Sequence, residues 1–161
     1  MYKVLDKDTI EFEILPHLSI AKRGFKTKSC LIEIVNSILY KLKIGIQWHI
    51  LPVNSLFSKT ILSYKTVFGH FRKWCKKGEW EYTWIRILSK HKKTLDLSSG
   101  DIDGSHTTAL RGGEAVAYQT KKKRKTSNSL YLTDRQGLPL ALSSPIGGNH
   151  HDLYKIEDSL G

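Results

Sequence analysis

Cysteine is scarce in this sequence, which has only Cys30 and Cys75 among its 161 residues. No C-x-x-C pair is present, so the common zinc motifs and a disulfide framework are excluded. Both cysteines fall on apolar faces of predicted helices, and we expect buried free thiols in a reducing cytosol. Long apolar runs are also missing, because none approaches the ~18 residues of a membrane-spanning helix. The charged N-terminus does not resemble a signal peptide, so we expect a cytoplasmic protein.

Acidic side chains are few relative to basic ones: 15 Asp and Glu stand against 26 Lys and Arg, a net charge of +11. This excess favours a polyanionic partner, most often nucleic acid, although a soluble protein with scattered lysines is the alternative. Residues 21–98 carry 16 basic and 4 acidic side chains, whereas residues 99–161 carry 8 and 7. The asymmetry predicts a DNA-binding part followed by a part in which carboxylates have a separate role.

The N-terminal part of the chain is predicted to be helical. From Leu31, apolar residues recur at i, i+3, i+4, i+7, i+8 and i+11, the pattern of an amphipathic helix. Ser29 is expected to cap its start, and Gly45 follows its end. A second helix is predicted over residues 64–77 and a third over residues 79–92. The tryptophans expected in the core of this part are Trp48, Trp74, Trp80 and Trp84.

The predicted helix over residues 64–77 carries a basic stripe opposite its apolar face. No Asp or Glu interrupts the sequence from Lys65 to Lys77, whereas ordinary surface helices usually mix charges of both signs. A helix, a connector and a basic helix are typical of a helix-turn-helix-like DNA reader, although a solvated lysine face is the alternative. The candidate DNA-binding residues of this helix are Lys65, Arg72, Lys73, Lys76 and Lys77.

A pair of carboxylates follows in the last third of the chain. Residues 94–100 are the expected linker, and a short, buried strand is predicted over residues 100–105. Side chains alternate along a strand, so Asp101 and Asp103 point to the same face. Two carboxylates on one face are suited to a divalent cation, which makes both residues candidate metal ligands.

A second basic cluster separates the acidic strand from a predicted hairpin. It is expected to contact phosphates, although a flexible solvated loop is the alternative. Its members are Lys121, Lys122, Lys123, Arg124 and Lys125. Residues 128–133 and 138–143 are predicted to form the hairpin, with Asp134 in its turn, where Asp is favoured for local hydrogen bonding. A helix capped by Asn149 is predicted to begin at His150.

Several motifs resemble those of bacterial insertion-sequence transposases of the DDE type. The segments IDGSHT, GGEAVAYQTKKKRKTSNSLYLTDRQGLPLALS and GGNHHDLYKI are similar to parts of their catalytic core. IQWHILP and KTVFGHFRKWCKKGEW are similar to parts of their N-terminal helical domain. The motifs occur in the order of the family and extend over roughly residues 10–160.

This resemblance implies an α+β fold with two domains. Residues 1–93 would form a helical, helix-turn-helix-like DNA-binding domain, and residues 94–161 the first part of a ribonuclease H-like catalytic domain. Asp103 matches the first of the family's three catalytic acids, and Asp101 is a neighbour that assists it or only lies beside it. The family's second Asp and its Glu lie on later elements that this sequence lacks. The chain is therefore expected to be a C-terminally truncated or first-frame product, inactive by itself.

The resemblance also implies partners. Mg²⁺ or Mn²⁺ is the expected cofactor, but only in the completed enzyme. The expected DNA partners are the terminal inverted repeats and target DNA. The expected protein partner is a second copy or a C-terminal partner that supplies the rest of the catalytic domain. A bacterial, nucleoid-associated location would fit, and the alternative function is a non-catalytic DNA-binding repressor or a relic of a transposase.

Overall fold

A computed structural model of the chain describes residues 3–20, 27–109 and 112–150. The chain divides into two compact units, Met1–Lys90 and His91–Gly161. Helices build the first unit and an antiparallel sheet builds the second, so the fold is α+β, as predicted. Within these described ranges, no helix is both long enough and apolar enough to cross a membrane.

The first unit contains α-helices joined by short irregular turns. Its helices are α1 (Lys7–Thr9), α2 (Leu31–Ile44), α3 (Val53–Leu56), α4 (Tyr64–Lys76) and α5 (Glu79–Lys90). A π-helical turn (Ile10–Ile14) and 3-10 turns (Leu15–His17, Trp48–Ile50) complete it, and a further 3-10 turn (Lys92–Thr94) opens the second unit. The three long helices were predicted, whereas the N-terminal helical segment was not.

The first predicted helix is confirmed, but its predicted cap is wrong. Cys30 occupies the N-cap position and makes no capping hydrogen bond with its side chain. The Ser29 hydroxyl instead donates to the carbonyl oxygen of Thr60, at 3.0 Å. At the other end, Gly45 adopts a left-handed conformation with φ 75°, and its N–H donates to the carbonyl of Lys41. Glycine terminates the helix there because a side chain would strain this conformation.

The core of the first unit lies between the N-terminal segment, α2 and α4. Ile34, Ile38, Val67 and Trp74 are almost completely buried, and the indole N–H of Trp74 donates to the carbonyl of Ser19 at 3.0 Å. The buried residues that the N-terminal segment adds are Ile10, Ile14 and Leu18. Together these contacts fix α4 by its apolar face, so its opposite face points away from the core.

Of the two tryptophans predicted to close this core from α5, only Trp80 does so. Its ring packs edge-on against Trp74, with 5.8 Å between centroids. Trp84 is 37% exposed, and Thr83 occupies the buried position instead. The buried side of α5 follows Trp80, Thr83 and Ile87 at i, i+3 and i+7, so Trp84 lies beside this line.

Both cysteines are exposed, so the prediction of buried thiols is wrong. Cys30 precedes the first turn of α2 rather than lying on its apolar face. Cys75 directly follows the buried Trp74, and successive residues of a helix point about 100° apart. One side chain therefore faces the core while the next faces outward.

The second unit is a five-stranded antiparallel sheet around one central strand. Its strands are β1 (Gly100–Thr108), β2 (Ala117–Gln119), β3 (Arg124–Asp134), β4 (Pro139–Leu142) and β5 (Ile146–Gly147). β1 pairs with β3 without a register shift, from Gly100 opposite Asp134 to Thr108 opposite Thr126. β2, β5 and β4 pair with successive parts of the other edge of β3. Among the described residues, the outer edge of β1 has no partner strand.

The predicted β3–β4 hairpin is confirmed, and its first strand begins four residues earlier than predicted. The acidic strand differs more from the prediction: β1 has nine residues rather than six, and it is mostly exposed rather than buried. The reason is its position at the edge of the described sheet, where β3 is its one neighbouring strand among the described residues. The helix predicted to begin at His150 runs into residues 151–161, which lie outside the described residues.

Candidate functional site

The basic helix α4 is held at both its start and its apolar face. The Ser63 hydroxyl caps the helix by accepting a hydrogen bond from the N–H of Lys65, at 3.2 Å. Trp48 packs against Phe68 and Phe71 with ring centroids 5.2 Å apart in each pair. The cap and these aromatic contacts position the helix within the first unit. Trp48 therefore packs against the helices, as predicted.

The candidate DNA-binding side chains of α4 point away from the core. Lys65, Arg72 and Lys76 are exposed, and Lys73 is half-buried. Among the described residues, no carboxylate forms an ion pair with any of these four side chains. No described carboxylate therefore balances these charges, and they can face a polyanion.

Lys77, the last candidate of the stripe, is placed differently. Its ammonium donates to the Ser19 hydroxyl at 2.8 Å and lies 3.5 Å from a carboxylate oxygen of Glu79. The Glu79 carboxylate also accepts a hydrogen bond from the N–H of Ser19 at 2.9 Å. Lys77 thus belongs to a local polar cluster at the end of α4, which makes it a weaker candidate for DNA contact.

His70 adds no charge to the stripe at neutral pH. Its Nε2 lies 3.0 Å from the Thr27 hydroxyl, and its ring packs 5.1 Å from that of Trp74. Burial lowers the pKa of His70 below its usual value, and the positive charge of Lys73 lowers it further. The imidazole is therefore neutral at pH 7, and it serves packing and hydrogen bonding.

The two acids of β1 lie on one face of the sheet, as predicted. Asp101 is opposite Thr133 and Asp103 is opposite Tyr131 in the β1–β3 ladder. Both carboxylates are exposed. Their side chains point the same way because β1 is regular here, and residues two apart in a strand lie about 7 Å from each other.

This pair fits a hard divalent cation in part. Two exposed carboxylates with hydroxyl-bearing neighbours offer only oxygen donors, which Mg²⁺ and Mn²⁺ prefer. No group of three His, Cys, Asp or Glu residues suited to a metal occurs within the described ranges. Asp134, the other acid of the sheet, is buried, and its carboxylate accepts hydrogen bonds from the backbone N–H groups of Gln136 and Leu138. Its predicted role in the turn is thereby confirmed.

The second basic cluster forms the tip of a hairpin that was not predicted. β2 and β3 pair with Gln119 opposite Arg124, and the residues between them form a turn in which Lys123 adopts a positive φ of 48°. The Arg124 side chain donates from Nε to the carbonyl of Lys122, at 3.2 Å. All five basic residues, Lys121 to Lys125, are exposed. The cluster is thus an ordered projection of positive charge rather than a structureless loop.

The register also brings together residues that are distant in the sequence. Lys125 lies on the same sheet face as Tyr131 because the two are an even number of residues apart in β3. Tyr131 is opposite Asp103, so a basic residue, an aromatic residue and the acidic pair share one face. Alternation along β3 could have predicted this shared face if the predicted strand had begun at Arg124 rather than at Asn128.

Comparison with known protein families finds a similarity in the N-terminal part of the chain. Residues 12–84 match the family described as "Putative transposase of IS4/5 family (DUF4096)". No curated protein and no solved structure matches the chain significantly. The matched segment includes all of α2 and α4 and ends within α5, before the acidic strand. The match confirms the resemblance to insertion-sequence transposases, and it covers residues 12–84, less than half of the chain.

Proposed function

We propose that this protein binds the DNA of an insertion element through α4 and contributes Asp103 to the strand-cleavage site of a DDE-type transposase. The observation that carries the DNA-binding part is the set of cations on α4 that form no ion pair with any described residue, on a helix inside the matched transposase segment. A protein that neutralises phosphates with such cations gains affinity by releasing bound counterions from the DNA.

The shape of α4 also supports DNA contact. A single α-helix fits the major groove, and a basic helix preceded by a helix and a connector is the arrangement of helix-turn-helix readers. Gly69 lies between Lys65 and Arg72 on the outward side and has no atom within 4 Å of the place where a Cβ would be. A helix without a side chain at this point can approach the DNA backbone closely. We therefore propose α4 as the helix that contacts the terminal inverted repeats.

Asp103 and Asp101 are the proposed ligands of a catalytic Mg²⁺ or Mn²⁺ ion. When bound, such an ion supplies Lewis-acid activation of the attacking oxygen and stabilises the leaving oxygen. The order of an acidic strand followed by an antiparallel hairpin supports the beginning of a ribonuclease H-like domain. Among the described residues, these two carboxylates are fewer than the three acids of that family, and we propose that this chain does not cleave DNA alone. Target DNA and a second copy, or a C-terminal partner with the remaining acids, are the proposed partners.

DNA binding through α4 can be tested by fluorescence anisotropy with a duplex that carries the element's terminal inverted repeat. We expect the combined variant Lys65→Ala, Arg72→Ala and Lys76→Ala to bind weakly. Its affinity should also depend less on salt, with the log–log slope reduced by about 0.9 per lost phosphate contact. Unchanged affinity and salt slope in this variant would refute the proposal.

The control for that experiment removes the same charge elsewhere. Lys3, Lys43 and Lys93 are exposed and lie outside α4, so their combined replacement by Ala also removes three positive charges. This variant should retain most of the affinity and nearly the full salt slope. An equal loss in both variants would mean that net charge, rather than α4, determines binding.

A second candidate function is a non-catalytic DNA-binding protein that competes with a complete transposase for the inverted repeats. The exposed acidic pair without a third described ligand favours it. The two functions differ in their response to Asp103→Ala, measured as transposition of a marked element in cells that supply the C-terminal part. Abolished transposition with intact DNA binding supports a catalytic Asp103. Unchanged repression and unchanged transposition support the competitor.

A further inference from the structure

One face of the sheet in the second unit has the composition of a nucleic-acid platform. We define the Asp103 face by the cross-strand register of β1, β2 and β3. Residues directly opposite each other in antiparallel strands point to the same side, and so do alternate residues along each strand. Its members are Asp101, Asp103, Ser105 and Thr107 on β1, Tyr118 on β2, and Lys125, Ser127, Ser129, Tyr131 and Thr133 on β3.

Positive charge and an exposed aromatic ring meet at one end of this face. Tyr118 is 56% exposed and lies directly opposite Lys125, which is also exposed. The turn that joins these two strands carries Lys121, Lys122 and Lys123. A base can stack on the tyrosine while the neighbouring cations neutralise the phosphates on either side of it.

The middle of the Asp103 face consists of four hydroxyl groups. Ser105 lies opposite Ser129, and Thr107 lies opposite Ser127. None of these four side chains makes a hydrogen bond to another described residue, and all are at least partly exposed. Hydroxyl groups are common neutral donors to phosphate oxygens, so this stretch can hold a backbone without repelling it.

A second aromatic ring stands beside the acids at the other end. Tyr131 lies directly opposite Asp103, six residues along β3 from Lys125. The two positions are therefore about 20 Å apart, at roughly 3.3 Å per strand residue. Several nucleotides of an extended strand span this distance, with a tyrosine at each end.

We infer that the Asp103 face binds single-stranded DNA and leads the strand from the basic hairpin to the acidic pair. The inference rests on the proposed function, because it assigns the path of the strand that reaches Asp103. Single-stranded rather than duplex DNA fits, because stacking on tyrosine requires an unpaired base. The ordinary alternative is a polar, solvated face of an antiparallel sheet.

The test is binding of a short fluorescent oligothymidylate to the full chain, measured by anisotropy. Tyr118→Ala should weaken binding by about fivefold or more, because stacking contributes about 1–3 kcal/mol per base. Tyr118→Phe should bind as well as the unaltered protein, because it keeps the ring and loses only the hydroxyl. Tyr82→Ala is the matched control, because Tyr82 is 53% exposed and lies in the first unit. Full affinity in Tyr118→Ala, or an equal loss in Tyr118→Phe or Tyr82→Ala, would overturn the inference.

The same variants separate this inference from the proposed function. Tyr118→Ala should leave duplex binding unchanged, whereas the combined α4 variant should weaken duplex binding and retain oligothymidylate binding. If the α4 variant binds duplex normally while Tyr118→Ala still loses oligothymidylate, the proposed role of α4 fails and the single-strand platform stands. If the α4 variant loses duplex while Tyr118→Ala binds oligothymidylate normally, the platform fails and the role of α4 stands.

Discussion

The buried carboxylate of Asp134 accepts a hydrogen bond from the backbone N–H of Asp96 at 3.2 Å, although the two residues are 38 positions apart in the chain. The backbone N–H of Arg135 in turn donates to the carbonyl of Asp96, at 3.1 Å. These bonds attach the segment that enters the sheet to the β3–β4 turn. The turn therefore stabilises the start of the second unit as well as the hairpin itself.

We expect Asp134→Ala to lower the free energy of unfolding of the second unit by about 2–4 kcal/mol, because three backbone donors lose a charged acceptor in a buried place. Asp134→Asn, which keeps one acceptor oxygen, should cost less. The measurement is urea denaturation together with hydrogen exchange of residues 91–109. Glu114→Ala removes an exposed acid of the same unit and should change stability by no more than about 0.5 kcal/mol. Equal stability of Asp134→Ala and this control would contradict the prediction.

The lowered pKa of His70 predicts a dependence of stability on pH. Between its folded and unfolded pKa values, the unfolded chain binds more protons than the folded protein, so stability rises with pH in this window. The contribution is fully present above the unfolded value of about 6.5 and is lost as the pH falls through the folded value. Denaturation at pH 5 and pH 7.5 should show a smaller pH effect in His70→Gln than in the unaltered protein. The same effect in both proteins would exclude His70 as its source.

The exposed cysteines predict thiol reactivity without denaturant. Both Cys30 and Cys75 should react with Ellman's reagent in the folded protein, and Cys30→Ser should leave one reactive thiol. Partial burial raises the pKa of Cys75, so it should react more slowly than a small-molecule thiol at the same pH. If the thiols react only after denaturation, they are buried, as the sequence predicted.

The polar cluster around Lys77 predicts a graded response along the basic stripe. Lys76→Ala should reduce the slope of log affinity against log salt by about 0.9 for duplex DNA. Lys77→Ala should change it little, because its ammonium already contacts Ser19 and Glu79. Salt titrations of the two single variants measure this difference. A larger change of slope in Lys77→Ala would place the DNA at the end of α4 rather than along its middle.

The elements that the sequence predicted are those with a strong local signal. The periodic apolar residues were sufficient for the long helices, and Asp134 with Gly137 was sufficient for a turn. The N-terminal segment was missed because π and 3-10 turns disrupt the usual period. Ile10, Ile14 and Leu18, spaced by four, were the available signal for its buried side.

The predictions failed where tertiary contacts decide whether a residue is buried or a strand is paired. The acidic pair of β1 was placed on the correct face by alternation, but its exposure depends on the number of neighbouring strands. β2 was missed because it has only three residues, and its pairing depends on a turn with a positive φ at Lys123. The exposure of Cys75 depends on how far the core extends around α4, which periodicity alone does not define.

The outer edge of β1, which pairs with no strand among the described residues, gives its two acids a consequence for solution behaviour. An unpaired strand edge is a template on which another molecule can add a strand, and charged side chains on such an edge discourage this. Asp101 and Asp103 are the charged side chains of β1. Replacing Asp103 by Ala should therefore promote self-association as well as remove a proposed metal ligand. Concentrated samples of that variant should scatter more light than the unaltered protein, and the same carboxylate would then also keep the protein monodisperse.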